Sequence, residues 1–372
     1  MAPTPALTPT ADSLATRVAA FVRDEVEPNS LAMSRGEGPA APDVLAAAAR
    51  YDLAGVLIPR EYGGGGASHR EFAAVIEAVA RACASTSVFL DVHLSVACEG
   101  IIHFGTDAQK RRYLPLLASG TALGAFCLTE PHSGSDAGAL QTRAERDGDG
   151  YRITGTKAFI SSGGVAGLYI VMARTGEGTR GITAFIVEAG APGMSAGRPL
   201  QKMGLHGSRT SEMHFDGTQV ATTARLGDEG AGFGIAMAGL DSGRIGISAQ
   251  AVGIAQACID IIVAAARDHP VDETLLADIE ARTVAARLLT GVAADMLDAA
   301  QPLTRLASVT KLYATDTAVA AAHAAVELCA PGSADEDHPA AIRFRDAKAA
   351  QIYEGTNQIQ RLVIARELLR AY

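Results

Sequence analysis

The stretch Gln141–Gly155, QTRAERDGDGYRITG, decides how the chain divides. An Asp-Gly-Asp-Gly turn separates two short alternating runs, the signature of a hairpin. Working outward, LYIVMA (168–173), ITAFIVEA (182–189) and SEMHFDG (211–217) read as further strands. Toward the N-terminus the pattern is helical. After a Pro/Thr-rich tip, Leu14, Val18, Phe21, Val22 and Val26 recur at helical spacing, and APDVLAAAARYDLAG (41–55) repeats it until the glycines 63–66 intervene. Helices continue to about Ser119, with Thr106 and Asp107 placed as caps. Beyond LGDEGAGFG (226–234) long Ala/Leu/Ile helices run to the end, broken by loops at 266–274 and 329–339. The expectation is mixed α and β: an α-helical domain over 1–120, a β domain over 121–225 and a helical bundle over 226–372.

Composition narrows the function. The 372 residues suffice for a large core, and a net charge of −9 without a basic run points away from nucleic acid. Five scattered cysteines and nine histidines show no zinc, HExxH or disulfide spacing, so no metal is expected. The N-terminus lacks a signal-peptide pattern, and the Ala-rich run Thr317–Ala330 is too short to span a bilayer. A cytoplasmic protein without membrane insertion is the reading. The glycines of EGAGFG (229–234) resemble a dinucleotide loop but follow a poor strand, with no βαβ alternation after them.

Two segments and one acid carry chemistry. GAFCLTEPHSGSDAGAL (124–140) is an apolar run leading into a Ser/Gly/Asp turn, which offers N–H groups and hydroxyls to a polar ligand. GTKAFISSGG (155–164) places Phe159, Ile160 and Ser161 where they could face a flat ring. Glu354 sits between Tyr353 and Gly355, within apolar surroundings. Its alternatives are an exposed helix-end acid and a buried base.

These segments, with LIPREYGGGG (57–66), LQKMGLHGSRTSEMHFDG (200–217), LDSGRIGISAQAVGIAQA (240–257) and QIYEGTNQIQRLVIAREL (351–368), resemble the acyl-CoA dehydrogenase family over nearly the whole chain. The resemblance implies an α domain, a middle β-barrel and a C-terminal four-helix bundle, with FAD between them and an acyl thioester of CoA or an acyl carrier protein as substrate. It implies flavin contacts from Phe126, Cys127, Leu128, Thr129 and Ser135, from Phe159, Ile160 and Ser161, and from Thr356, Asn357 and Gln358. Phe159 stands where the family usually has Trp. Ser135, Asp241, Arg244, Tyr353 and Gly355 would meet substrate, and Glu354 would be the base that removes the α-proton while hydride leaves to the flavin. Some relatives place the base on the bundle helix, at the position of Gly243, which cannot act. The partners implied are an electron-transfer flavoprotein and further copies of the chain in a homo-oligomer. Two places depart from the family: Arg267–Val271 is shorter than the usual FAD-reaching loop, and Glu327–Pro331 replaces a Gln and paired Gly. Both put the trans-subunit FAD contacts in doubt. Cys127 is read as packing, His132 as a surface turn residue, and Lys157 as a support for either the strand or a phosphate. Rival readings are another flavin reaction on this fold, such as an oxidase or N-hydroxylase, and a non-catalytic partner subunit.

Overall fold

The computed structural model describes residues 13–329 and 331–370; the Pro/Thr-rich tip lies outside them. The chain begins with helices α1 (Leu14–Phe21), α2 (Ser30–Arg35), α3 (Ala41–Ala49), α4 (His69–Ala82), α5 (Ala84–Asp91), α6 (Glu99–Phe104) and α7 (Asp107–Ala118). Ser68 with Glu71, and Thr106 with Gln109, form reciprocal caps on α4 and α7, each satisfying helix-end N–H groups. A π-helical segment, Val92–Cys98, joins α5 to α6, so residues 84–104 form one unbroken rod. Nothing in the sequence announced this widened turn.

Eight strands follow: β1 (Gly124–Cys127), β2 (Arg143–Asp147), β3 (Gly150–Ser161), β4 (Leu168–Arg174), β5 (Ile182–Glu188), β6 (Met194–Ala196), β7 (Thr210–Ala221) and β8 (Arg225–Leu226). The ladder order is β6-β7-β3-β2-β4-β5-β8, with β1 parallel to β4. The Asp-Gly-Asp-Gly hairpin joins β2 to β3, and Gly148 adopts φ 57°, which its missing Cβ makes inexpensive. The runs in β4 and β5 are continuous in apolarity because both faces are covered. Tyr169, Val171 and Phe185 enter a core that also holds Phe21, Leu45 and Phe72 of the N-terminal helices, while Leu168, Ile170 and Ile186 enter another with Ile101, Leu114 and Leu117 of α6 and α7.

The C-terminal helices are α8 (Gly232–Ala265), α9 (Glu273–Asp298), α10 (Thr304–Leu328), α11 (Pro339–Ala350) and α12 (Asn357–Arg370). With 34 residues, α8 is about 50 Å long and packs against α4, α9, α10 and the sheet. Its glycine-rich entrance has a packing cause, because a Cβ on Gly232 would sit 2.6 Å from the Thr183 carbonyl carbon. Residues 84–104 and α8 are both long and apolar enough to cross a membrane, but 78% and 72% of their most apolar windows are buried inside the protein, as core helices are.

Candidate active site

Glu354 lies in the 351–356 connection between α11 and α12, held in a conformation that a carboxylate would not choose unaided. Its φ is 53° and that of Gly355 is 92°. Left-handed backbone at a non-glycine costs on the order of 1 kcal/mol or more, so the surroundings must impose it. They do so through the carbonyls: Lys311 Nζ donates to Gly355 O at 2.9 Å, and Gln360 Nε2 donates to Gly355 O at 3.0 Å and Glu354 O at 3.3 Å. Gly355 is required, since a Cβ there would lie 2.5 Å from Gln360 Nε2.

The carboxylate itself rests on α8. A Cβ at position 243 would lie 2.7 Å from Glu354 Cδ and would collide with its Oε2, so Gly243 is the seat of the acid. Oε2 is buried and has no hydrogen-bond partner among the described residues. Burial pushes the Glu354 pKa up to about 7, against the opposing charges of Arg244 and then Lys311. Arg244 is 6% exposed and donates to Asp241 Oδ1 at 2.6 Å; Asp241 also accepts from Thr304 at 2.8 Å. Lys311 is fully buried, and loss of hydration drives its pKa down to about 7 although Glu354 favours its charge. The carboxyl is poised to exchange a proton near neutrality.

The other predicted residues sort by environment. The Asn357 side chain is turned inward: it accepts from Lys311 at 3.0 Å and donates to Thr315 and Asp316, which fixes the loop and leaves no side-chain group for a cofactor. Thr356 Oγ1 accepts the Ile359 N–H at 3.3 Å, and Gln358 is exposed. The Tyr353 hydroxyl donates to Gln250 Oε1, and Gln250 Nε2 donates to Ala84 O at 2.9 Å, pinning the base loop to α8 and α5.

On the sheet, Ala158 N donates to Thr129 O at 2.8 Å, bringing the 126–130 and 157–161 segments side by side. Phe159 is 66% exposed and has φ 57°, at a register shift where β3 loses its pairing with β7. An aromatic ring forced outward on strained backbone suits a planar ligand, and half-buried Phe126, Thr129 and Ser161 flank it. Leu128 and Ile160 are buried, and Ser135 lies exposed in the turn beyond. The Cys127 thiol is buried, its pKa raised to about 12 by loss of hydration; any cofactor contact from it must come from its backbone. Lys157 supports the strand: fully buried, it donates to Leu128 O at 3.0 Å and Glu130 Oε1 at 2.8 Å. His132 stays at the surface, 3.4 Å from Glu130.

The rod 84–104 connects the two halves. Gly124 N donates to His93 Nδ1 at 2.9 Å while His93 Nε2 donates to Ala54 O at 3.0 Å, so the rod anchors β1, and at α5 it packs against α8. The two divergent segments also meet, where His269 Nε2 donates to Leu328 O at 2.9 Å; Arg267 and Glu327 beside them are both exposed. Sequence reading missed Lys311, Gln250 and Gln360 as supports of the base. Polar residues inside the Ala-rich helical pattern of α8 and α10 were the signal for the first two.

The chain thus combines helices with an eight-stranded sheet, a strained acidic loop resting on α8 and an outward-facing aromatic ring on β3. Models of the acyl-CoA dehydrogenase N-terminal, middle and C-terminal domains match residues 8–121, 125–218 and 230–369. An acyl-CoA dehydrogenase of Bacillus subtilis (strain 168) is 42% identical over 362 residues, 94% of this chain and 95% of that protein. A short-chain specific acyl-CoA dehydrogenase of Clostridium acetobutylicum is 38% identical over 333 residues, 86% of this chain and 88% of that one. Butyryl-CoA dehydrogenase from Megasphaera elsdenii has the same fold with a TM-score of 0.94 at 35% identity, covering 99% of this chain and 100% of that one. The chain belongs to the acyl-CoA dehydrogenase family and is an FAD-dependent oxidoreductase.

Proposed function

We propose that the protein removes the α- and β-hydrogens of a short acyl-CoA to give the trans-2-enoyl thioester, with Glu354 as the α-proton base. The observation that carries this is the unpartnered, buried Oε2 of Glu354, whose raised pKa makes it an effective acceptor near neutral pH. Bound FAD supplies the hydride acceptor. Phe126, Thr129, Phe159 and Ser161 would line its ring, with Ser135 near the pantetheine arm. The Glu354 backbone N–H is assigned to the thioester carbonyl, where negative charge develops as the proton leaves. Asp241 and Arg244 border the channel that the acyl-CoA enters, and Gly355 lets the thioester pass close to the backbone.

CoA is preferred to a carrier protein as the acyl carrier because the Clostridium and Megasphaera relatives are named for CoA thioesters, and their names support a short acyl group. An electron-transfer flavoprotein would reoxidise the enzyme. Self-association fits the exposed stripe Val284, Leu288 and Val292 on α9, which recurs every four residues along one face. The test is anaerobic mixing of the holoprotein with butyryl-, isobutyryl- and hexanoyl-CoA while flavin absorbance is followed. Bleaching by at least one is expected; a flavin left oxidised by the whole panel and by the matching carrier-protein thioesters would overturn the reading.

A further inference from the structure

A second carboxylate beside Glu354 has no role in the reaction just described. Asp91 closes α5 within the apolar run FLDVHLSVA and is fully buried. Among the described residues neither carboxylate oxygen has a hydrogen-bond partner, and the neighbouring Ser95 hydroxyl donates instead to the Asp91 carbonyl at 2.8 Å. Leaving a carboxyl unanswered in the interior is costly unless something else answers it. The other acid on the same rod shows the contrast: Glu99 is met by His69 at 2.6 Å. The charged groups acting on Asp91 are Glu354 and Glu99, both acids.

Its position is fixed by α8. Just as Gly243 leaves room for the Glu354 carboxylate, Gly246 leaves room for that of Asp91, whose Cγ a Cβ at 246 would approach to 2.5 Å. Residues three apart on a helix are neighbours on one face, with Cβ atoms roughly 5–6 Å apart. The two carboxylates therefore sit side by side on the same face of α8, one turn apart. Glu354 is the charged group that acts most strongly on Asp91, so on the dehydrogenase reading a substrate whose α-carbon meets Glu354 would extend its distal acyl carbons past Asp91.

Resting on the dehydrogenase reading, we propose that Asp91 is a specificity residue for an acyl chain bearing a protonated amine a few bonds beyond the α-carbon. An ammonium offers only donors and a positive charge, the two things that Asp91 lacks within the protein. A plain alkyl terminus would leave the carboxyl as unanswered as it is in the free chain.

The test uses three CoA thioesters of matched length: 5-aminovaleryl-CoA, 5-hydroxyvaleryl-CoA and hexanoyl-CoA, which differ only in the terminal group. For wild-type holoenzyme, kcat/KM for 5-aminovaleryl-CoA should exceed that for hexanoyl-CoA by tenfold or more. Asp91→Asn should lower the amine substrate's value about 100-fold, and Asp91→Leu should invert the preference toward hexanoyl-CoA. Calorimetric binding to Glu354→Gln protein, which cannot turn over, should show the same order of affinity and its loss when Asp91 is also replaced. Preference for hexanoyl-CoA or 5-hydroxyvaleryl-CoA over the amine would overturn the assignment while leaving the dehydrogenase reading intact. Failure of every thioester to bleach the flavin would overturn both.

Discussion

Glu130 and Glu354 are both carboxylates withdrawn from water, yet they are treated in opposite ways. Glu130, in the turn after β1, accepts from Lys157 at 2.8 Å and from the backbone N–H groups of Gln141 and Thr142 at 2.6 and 2.8 Å. Burial pushes its pKa up, but these partners more than reverse that and hold it below the ordinary carboxylate range. Glu354 has charges nearby, no donor on Oε2, and a pKa raised to about 7. Full satisfaction makes an acid a fastener; withholding one donor leaves it free to exchange a proton near neutrality, as the proposed reaction requires. The strand that Glu130 and Lys157 fasten is the one that presents Phe159, so on the proposed reading the inert pair supports the site that Glu354 would use.

This contrast can be broken from either side. The largest effect is expected from Glu354→Gln, which should keep the fold and yellow colour but slow flavin reduction by acyl-CoA roughly three to four orders of magnitude, the scale of a lost essential base. Stopped-flow absorbance measures it, and a wild-type rate would remove Glu354 from its role. Next is Lys157→Met, which should destabilise the protein by about 3–5 kcal/mol because Glu130 is left buried without its counter-charge. Denaturant titration reads this out, and the double variant Lys157→Met with Glu130→Gln should recover part of the loss. Gly243→Ala should cost roughly 100-fold in kcat by displacing the base a fraction of its length, with little change in melting temperature.

A subtler test concerns pH. Glu354 accepts a proton only when ionised, so the reduction rate should rise as pH passes through about 7 and level off above it. The Lys311 cation opposes the upward shift, so Lys311→Met should move the rising limb to higher pH. A limb that stays put would mean that Lys311 supports the loop but does not tune the base. The smallest effect involves the divergent end of the bundle. If Arg267 and Glu327 no longer hold a neighbour's diphosphate, each missing charge-assisted bond weakens FAD binding by roughly 1.5–3 kcal/mol. Excess FAD should then raise the melting temperature through mass action, and gel filtration should strip the flavin. Full FAD retention through dialysis, with no stabilisation by excess, would show that other residues have taken over the clamp.

Much of this architecture was legible because its signals are local. The Asp-Gly-Asp-Gly hairpin, the Thr106 cap and the long apolar helices each follow from neighbouring residues. What stayed hidden depends on the third dimension. Asn357 is expected from the family resemblance as a flavin contact, but Thr315 and Asp316, some forty positions earlier, draw its side chain inward. Lys157 could steady a strand or a phosphate until Glu130 is placed against it. Gly243 is conspicuous in sequence only for lacking a functional group, whereas its use is the space it leaves. Asp91 did leave a trace, an acid in the middle of an apolar helix, but only Gly246 opposite explains how the carboxylate fits.

The contest for space between position 243 and Glu354 has a historical consequence. In an enzyme that takes its base from either of these two places, the chemical duty cannot migrate by adding the new acid first and discarding the old one later. A Cβ at 243 would fall 2.7 Å from the Glu354 Cδ, so a side chain there crowds the carboxylate already seated on the helix. Relocation therefore demands a paired exchange, Gly243→Glu with Glu354→Gly, or passage through a form with no working base at all. If Glu354 is the base, each single-substitution intermediate should be strongly impaired, so lineages using the two arrangements would be separated by a valley that point mutation alone crosses only when selection on the activity is relaxed.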